Sequence, residues 1–223
     1  SYPVATAIEG TLQACELLGI VPADSTLAVV GATGSIGKTC AQVLGRDFGR
    51  TILVGRDMAR TEAVAAEIPN AIATVDVSRI KEADAIVTVT SADADVILPE
   101  HLRPGAVVCD VARPRDVSVR VSQERPDVLV IEGGVVAVPG DVEFNFSFGF
   151  PPKTAYACMS ETFMLALEDR PESFTLGKDV SVEQVDTTQQ WARKHGFRLA
   201  GFRSFERAVD EAAIERARVA RRS

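Results

Sequence analysis

Two short stretches carry the residues whose types and spacing could do chemistry. The first is "LAVVGATGSIGKT", Leu27 to Thr39, where Gly31, Gly34 and Gly37 recur every third position after a run of small apolar residues. The second is "KTAYACMSETF", which carries Cys158. Between a strand and a helix, each missing Cβ of such a triplet has a use. Gly31 can turn tightly, Gly34 lets a diphosphate approach the backbone, and Gly37 lets the helix pack close to the strand. The first helical turn, which includes Ile36, then offers unpaired N–H groups and a positive dipole end to an anion. Thr33 and Ser35 add hydroxyl donors. The ending "GKT" also invites comparison with a triphosphate-binding loop, but that loop needs a glycine where Ala32 stands, so a dinucleotide is the expected ligand.

The end of the next strand separates one dinucleotide from another. An acidic residue there would hold a ribose 2′-hydroxyl, whereas "ILVGRD" ends in Gly55 and Arg56. A guanidinium pairs bidentately with phosphate oxygens, so Arg56 favours the 2′-phosphate of NADPH, with Asp57 as the residue that would instead favour NADH. Thr90 and Ser91, closing "VTVTSAD", are expected at the carboxyl edge of the sheet beside the cofactor; strand-end caps would use the same residues.

Cys158 is expected in the first turns of a helix that starts after Pro151 and Pro152, with Lys153 close in sequence, where the dipole favours a thiolate. A thiolate can take an acyl group from a thioester and present it for hydride reduction to an aldehyde. A buried structural cysteine is the alternative. Tyr156, His101 and His195 are candidate proton donors, although Tyr156 also reads as packing and His195 as a helix-end residue.

These residues need a scaffold, and the chain spells one out. "TLAVVG" (26–31), "RTILVGR" (50–56), "NAIATVD" (70–76), "DAIVTVT" (84–90), "GAVVCDVA" (105–112) and "DVLVIEGG" (127–134) are short and mostly apolar at consecutive positions, as strands buried on both faces are. "GKTCAQVLGRDFG" and "DMARTEAVAAEIP" between the early strands have helical spacing. The expected fold is α/β, a doubly wound, mostly parallel, Rossmann-like sheet, preceded by a lead-in helix in "ATAIEGTLQACELLG". Beyond Gly140, "DVEFNFSFG" alternates like a half-exposed strand. Then "PPKTAYACMSETFMLALED" reads as a helix whose apolar stripe is Tyr156, Met159, Phe163, Ala166 and Leu167. "SVEQVDTTQQWARKHG" reads as a helix capped by Ser181 and closed by Gly196, and the charged, alanine-rich end reads as another. Residues 1–223 thus read as one NAD(P)-binding domain, with additional helices over 151–220 packing back beside the sheet.

Composition narrows the function. A net charge of -7 argues against a nucleic-acid partner, and no apolar run is long enough to span a bilayer. Four cysteines without C-x-x-C spacing and two histidines far apart, His101 and His195, suggest neither a zinc cage nor a disulfide framework. A cytoplasmic, soluble protein is the expectation. The start at Ser1, without a methionine, suggests part of a longer protein.

The chain resembles the cyanobacterial long-chain acyl-[acyl-carrier-protein] reductases, NADPH-dependent enzymes that make fatty aldehydes. The resemblance rests on "LAVVGATGSIG", "VIEGGVV", "AYACMSETFMLALE" and "ARKHGFRL", in the right order over most of the chain up to Leu199. It implies that Cys158 is acylated, that Gly31, Gly34 and Gly37 belong to the cofactor loop, and that the substrate is a fatty acyl thioester of acyl carrier protein or coenzyme A. It further implies attack by Cys158 on the thioester and collapse of a hemithioacetal to the aldehyde, with backbone N–H groups near the helix start steadying the oxyanion. Members of that family carry an additional N-terminal domain that this chain lacks, and "CDVARPRD" departs from the expected pattern. Arg193, Lys194, Arg198, Arg203 and Arg207 cluster in sequence and could meet an acidic carrier protein; a solvated helix face explains them as well.

Two other readings fit the same features. One is a dehydrogenase of the shikimate or methylene-tetrahydropterin type, in which Cys158 is structural. The other is a nucleotide-sensing module without turnover.

Overall fold

The Val- and Ile-rich segments lie side by side because each is apolar on both faces, and only a sheet covered on both sides buries both. β1 (Thr26–Val30), β2 (Arg50–Val54), β3 (Ala71–Thr74), β4 (Ala85–Thr88), β5 (Val107–Asp110) and β6 (Leu129–Glu132) form one sheet in the order β3-β2-β1-β4-β5-β6, with every pair parallel. Leu27 and Val29 of β1 enter one core layer and Ala28 and Val30 the other, as the two-residue period of a strand requires. The strand order reverses between β1 and β4, so the crevice at their carboxyl ends is the topological switch point of a Rossmann-like α/β fold. The computed structural model describes residues 1–146, 150–175 and 179–222.

One face carries α2 (Ser35–Leu44) and α3 (Met58–Ala65) against β1, β2 and β3; short 3-10 turns and α4 (Val119–Glu124) cover the other. The lead-in helix is α1 (Tyr2–Leu18), closed by Gly19 at φ 69°. It lies over β4 and β5 and is buried on most sides, because α2, α5 (Ala157–Leu167), α6 (Val182–His195) and α7 (Glu211–Arg222) surround it. A Cβ on Gly10 would sit 3.5 Å from Ile131 Cδ1, and one on Gly133 would sit 3.8 Å from Ala7 Cβ. α1 therefore runs antiparallel to β6, with its N-terminus at the carboxyl edge of the sheet.

After β6 the chain turns through Gly134, at φ 96°, into β7 (Val135–Ala137). β7 pairs antiparallel with β8 (Thr154–Tyr156) and β9 (Arg198–Leu199), and β10 (Arg203–Ser204) pairs with β11 (Arg207–Ala208). The Ser181 capping box and Gly196, at φ 85°, bound α6 as expected.

Four expectations differ from the structure. Residues 141–146 of "DVEFNFSFG" are irregular, with Gly140 and Asn145 both at positive φ; the rest of that segment, 147–149, lies outside the described residues. The helix carrying Cys158 starts at Ala157 and not after the prolines, because Thr154 to Tyr156 are drawn into pairing with β7. The inward face of α5 is Ala157, Ser160, Glu161 and Met164, while Tyr156 and Leu167 of the apolar stripe are exposed. The polar start of α1 decides this: Glu161 Oε2 accepts the Ser1 nitrogen at 2.8 Å and the Tyr2 N–H at 2.6 Å, and residues three or four away must turn inward with it. The stripe is met from outside, by Phe144 stacking on Phe163 and Phe150 meeting Tyr156 edge-on. The final helix begins only at Glu211, after the β10–β11 hairpin.

Candidate functional site: a glycine cradle and an exposed thiol on one sheet edge

The glycines occupy positions that a side chain would block. Gly31 sits at φ 83°, and a Cβ there would lie 2.4 Å from the Val89 carbonyl oxygen. A Cβ on Gly37 would lie 2.3 Å from the Gly31 oxygen, so α2 approaches the end of β1 as closely as backbone permits. The Gly31 and Ala32 N–H groups both donate to Val54 O, and Gly34 donates to Gly31 O, which fixes the turn. Gly34 is the N-cap of α2, and the ladder begins at Lys38 N–H donating to Gly34 O. The N–H groups of Ser35, Ile36 and Gly37 thus precede the ladder and point out of the helix start. Ser35 Oγ accepts the Val180 N–H at 3.0 Å and keeps its own proton to donate. This pocket of free N–H groups at a helix N-terminus fits a diphosphate.

Arg56 is exposed beyond β2 and makes no hydrogen bond or ion pair among the described residues. Asp57 is otherwise occupied: it is the N-cap of α3, and its Oδ1 accepts the Arg60 N–H at 2.9 Å. Thr33 lies close to the same strand end, its Cγ2 3.2 Å from where a Gly55 Cβ would be.

Beyond β4, Thr90 donates its hydroxyl to Asp116 Oδ1 at 2.5 Å and its N–H to Asp116 Oδ2 at 2.8 Å, while Ser91 is exposed. Thr88 donates to the same carboxylate at 2.6 Å. Asp116 and Asp110 are fully buried. Asp110 accepts the N–H groups of Ala112, Asp116 and Val117, and burial, only partly offset by those bonds, pushes its carboxyl up to about 6. Next along the edge, Glu132 accepts Arg115 Nε at 3.1 Å and the Glu206 N–H at 3.0 Å. This acidic pair and its arginines were missed from sequence; the two aspartates of "CDVARPRD" were visible, but only the loop geometry brings both inside.

Cys158 is the exposed one of the four cysteines; Cys15, Cys40 and Cys109 are buried, and burial pushes the Cys15 and Cys109 thiols up to about 12. It is the second residue of α5, whose first residue, Ala157, donates its N–H to Gly134 O just past β6. The cradle and the thiol therefore share the carboxyl edge, separated by the strand steps β1 to β4, β4 to β5 and β5 to β6, roughly 14 Å at the usual interstrand spacing. Lys153 is not beside the thiol in function: its Nζ pairs with Asp141 at 2.6 Å. His101 Nδ1 accepts the Leu98 N–H within its own turn, and His195 pairs with Glu168. The five basic residues of 193–207 are spread over α6, β9, β10 and β11, with Lys194 paired to Glu168. A cavity of about 540 Å³ lies by β7, β8 and β9, lined by residues such as Val138, Lys153 and Arg198, apart from both the glycine turn and Cys158. Among the described residues no helix is long and apolar enough to cross a membrane, and no cluster of His, Cys, Asp and Glu could hold a metal.

Known proteins share this framework. The chain is 28% identical over 211 residues to the aminotransferase PigE of Serratia sp., covering 91% of this chain and 25% of that one. It is 28% identical over 205 residues to the long-chain acyl-[acyl-carrier-protein] reductase of Synechococcus elongatus, covering 88% of this chain and 59% of that one. It is also 28% identical over 168 residues to the bifunctional protein FolD of Lactiplantibacillus plantarum, covering 74% and 50%. The chain thus spans a quarter to three fifths of the length of these relatives. The family model for shikimate / quinate 5-dehydrogenase matches residues 17–132, from the end of α1 through β6 and so across the whole parallel sheet and its glycine cradle. A dehydrogenase- or reductase-type nucleotide-binding domain, this chain belongs to the shikimate / quinate 5-dehydrogenase family.

Proposed function

We propose that the chain reduces a fatty acyl thioester, delivered by acyl carrier protein or coenzyme A, to an aldehyde with NADPH and through an acyl group held on Cys158. The observation that carries this reading is the placement of the one exposed thiol on the first turn of α5, at the same sheet edge as the glycine cradle. In this reading Gly31, Thr33, Gly34, Ser35, Ile36 and Gly37 form the diphosphate loop, Arg56 takes the 2′-phosphate, and Thr90 and Ser91 lie beside the cofactor at the end of β4. NADPH, when bound, supplies the hydride.

The chain's own residues hold and release the acyl group. Cys158 Sγ forms a C–S bond to the thioester carbon while the carrier's sulfur leaves with its electron pair and takes up a proton. The Ala157 N–H is taken by Gly134 O, so the N–H groups that follow it, on Cys158 and Met159, are the ones to steady the developing oxyanion. Once the carbon is reduced, the bond to Cys158 breaks, sulfur keeps the electrons, and aldehyde departs. One relative supports the assignment: the matched protein of Synechococcus elongatus is named as a long-chain acyl-[acyl-carrier-protein] reductase.

A second reading, a dehydrogenase of the shikimate or methylene-tetrahydropterin type with a structural Cys158, is favoured by one observation: the family match ends at Glu132, before the cysteine. Intact-mass measurement after incubation with a long-chain acyl-CoA separates them. An acyl adduct on the wild type that is absent from Cys158→Ala, with loss of acyl-CoA-dependent NADPH oxidation, supports the reductase. Oxidation retained in Cys158→Ala sinks it.

A further inference from the structure

The least economical feature of the carboxyl edge is Asp116. A carboxylate without solvent exposure is costly to desolvate unless donors meet it, and apolar packing fills such a place more cheaply. Here three donors converge on it, from Thr88 Oγ1 and from both the hydroxyl and the N–H of Thr90. Its backbone is held as firmly. The Asp116 N–H donates to Asp110 Oδ2, and its carbonyl oxygen accepts the N–H groups of Val96 at 2.8 Å and Ile97 at 2.9 Å. Bonding both polar groups of Thr90 selects one rotamer and leaves only the methyl free to face elsewhere. That methyl, Cγ2, sits 3.3 Å from where a Cβ of Gly31 would be, and the preceding Val89 oxygen only 2.4 Å from it. On the opposite side the Gly31 and Ala32 N–H groups are tied to Val54 O. The glycine turn is thus clasped between β2 and the end of β4, and Asp116 sets the position of the β4 jaw.

We infer that Asp116 is a positioning residue for the dinucleotide: by fixing Thr90 it holds the Gly31 turn in the shape that cradles the diphosphate, and it never touches the cofactor itself. The inference rests on the reading of NADPH as the cofactor. It also reassigns Thr90, whose donors serve Asp116 and whose contribution to the site is its methyl against Gly31.

Four proteins test it: wild type, Asp116→Asn, Thr90→Val and the double variant, each titrated with NADPH by fluorescence and assayed for kcat and for KM toward NADPH. Valine keeps the methyl of Thr90 and removes the hydroxyl, and asparagine keeps one acceptor for the Thr90 N–H. Each single variant is expected to raise the NADPH Kd about tenfold, the effect of losing one buried charge-assisted bond. The double variant is expected to be no worse than the poorer single one, because both remove the same link. KM for NADPH should rise with Kd while KM for the acyl thioester stays, a split that general loosening of the fold does not produce. Unchanged Kd in both single variants, or effects that add in full, overturns the inference. Wild type that fails to bind NADPH overturns the cofactor reading and this inference together. Wild type that binds NADPH but never acylates Cys158 overturns the acyl-transfer reading alone, and the expected Kd changes then still support the role of Asp116.

Discussion

Ala157 donates its N–H to the carbonyl of Gly134 at 2.8 Å, and this bond seats the first turn of α5 on the carboxyl end of β6. Cys158 is the next residue, so a position far from the glycine turn in sequence reaches the same edge. The inward neighbours of the cysteine on α5, Ala157 and Glu161, anchor the helix, while the thiol itself points out of the packing. Position and stability are therefore separable at this residue.

Replacing Cys158 by serine should leave stability nearly unchanged, within about 0.5 kcal/mol, as for exposed sites away from caps and cores. If the thiol carries the acyl group, turnover with acyl-CoA should fall by a factor on the order of a thousand or more, since the nucleophile of a covalent mechanism has no substitute. Urea unfolding alongside steady-state kinetics reads both quantities. A cysteine that only packs would reverse the pattern.

Gly37→Ala puts a methyl 2.3 Å from the Gly31 oxygen, with backbone on both sides and no flexible side chain to yield. The helix start must retreat from β1, and overpacking of this kind costs about 1–3 kcal/mol. Because the retreat moves the N–H groups of Ser35 and Ile36 off the diphosphate, NADPH affinity should fall more than stability does. Calorimetric titration at a temperature well below the melting point checks this. Binding weakened only in proportion to unfolding would mean that the glycine serves packing alone.

Asp57 caps α3, and Arg56 beside it makes no hydrogen bond or ion pair among the described residues, so on the NADPH reading the two should respond differently to substitution. Arg56→Gln should weaken NADPH binding by roughly tenfold to a hundredfold, the worth of a charge-assisted phosphate contact, while NADH binding stays constant. Asp57→Ala should instead cost about 1 kcal/mol of stability through the lost α3 cap and leave the NADPH to NADH ratio alone. The two ratios, measured by competition, discriminate the assignments directly.

The parallel sheet was legible because its strands are apolar at consecutive positions, a pattern that only burial on both faces explains, and the glycine spacing fixed where β1 gives way to α2. What the residues could not declare was long-range competition. The apolar stripe of α5 reads inward by periodicity, yet Glu161 faces in because the start of α1, more than 150 positions earlier, presents N–H groups that need an acceptor. Likewise Thr90 reads as a residue beside the cofactor, but its hydroxyl and N–H both donate to Asp116 on another loop. The alternation of 141–146 resembles a strand, but Gly140 and Asn145 at positive φ break it, and β7 finds its partners in Thr154 to Tyr156 and Arg198 to Leu199. In each case the local signal was sound and a distant polar group or a competing backbone partner outweighed it.

The two acidic groups of the edge and the helix pair bend the pH profile in opposite senses. Asp110 titrates near 6 in the folded protein, above its ordinary 3.8, because burial outweighs the N–H groups that stabilise its ionised form. Its contribution to stability is therefore complete below about pH 4 and is lost as pH rises through 6, by up to roughly 3 kcal/mol at 1.36 kcal/mol per unit. Glu161 is held below its usual range, since the bonds from the start of α1 and from Thr175 exceed the cost of its burial. Its contribution is present above its ordinary titration and fades as pH falls through the lowered one. Urea unfolding from about pH 3 to 8 should thus show wild type gaining on Asp110→Asn as pH drops from 7 to 4, while it loses ground to Glu161→Gln below the ordinary glutamate value of 4.5. A wild-type advantage over Asp110→Asn that is flat across this window would mean that the buried carboxyl titrates at its ordinary value, and that the N–H groups of Ala112, Asp116 and Val117 fully compensate its burial.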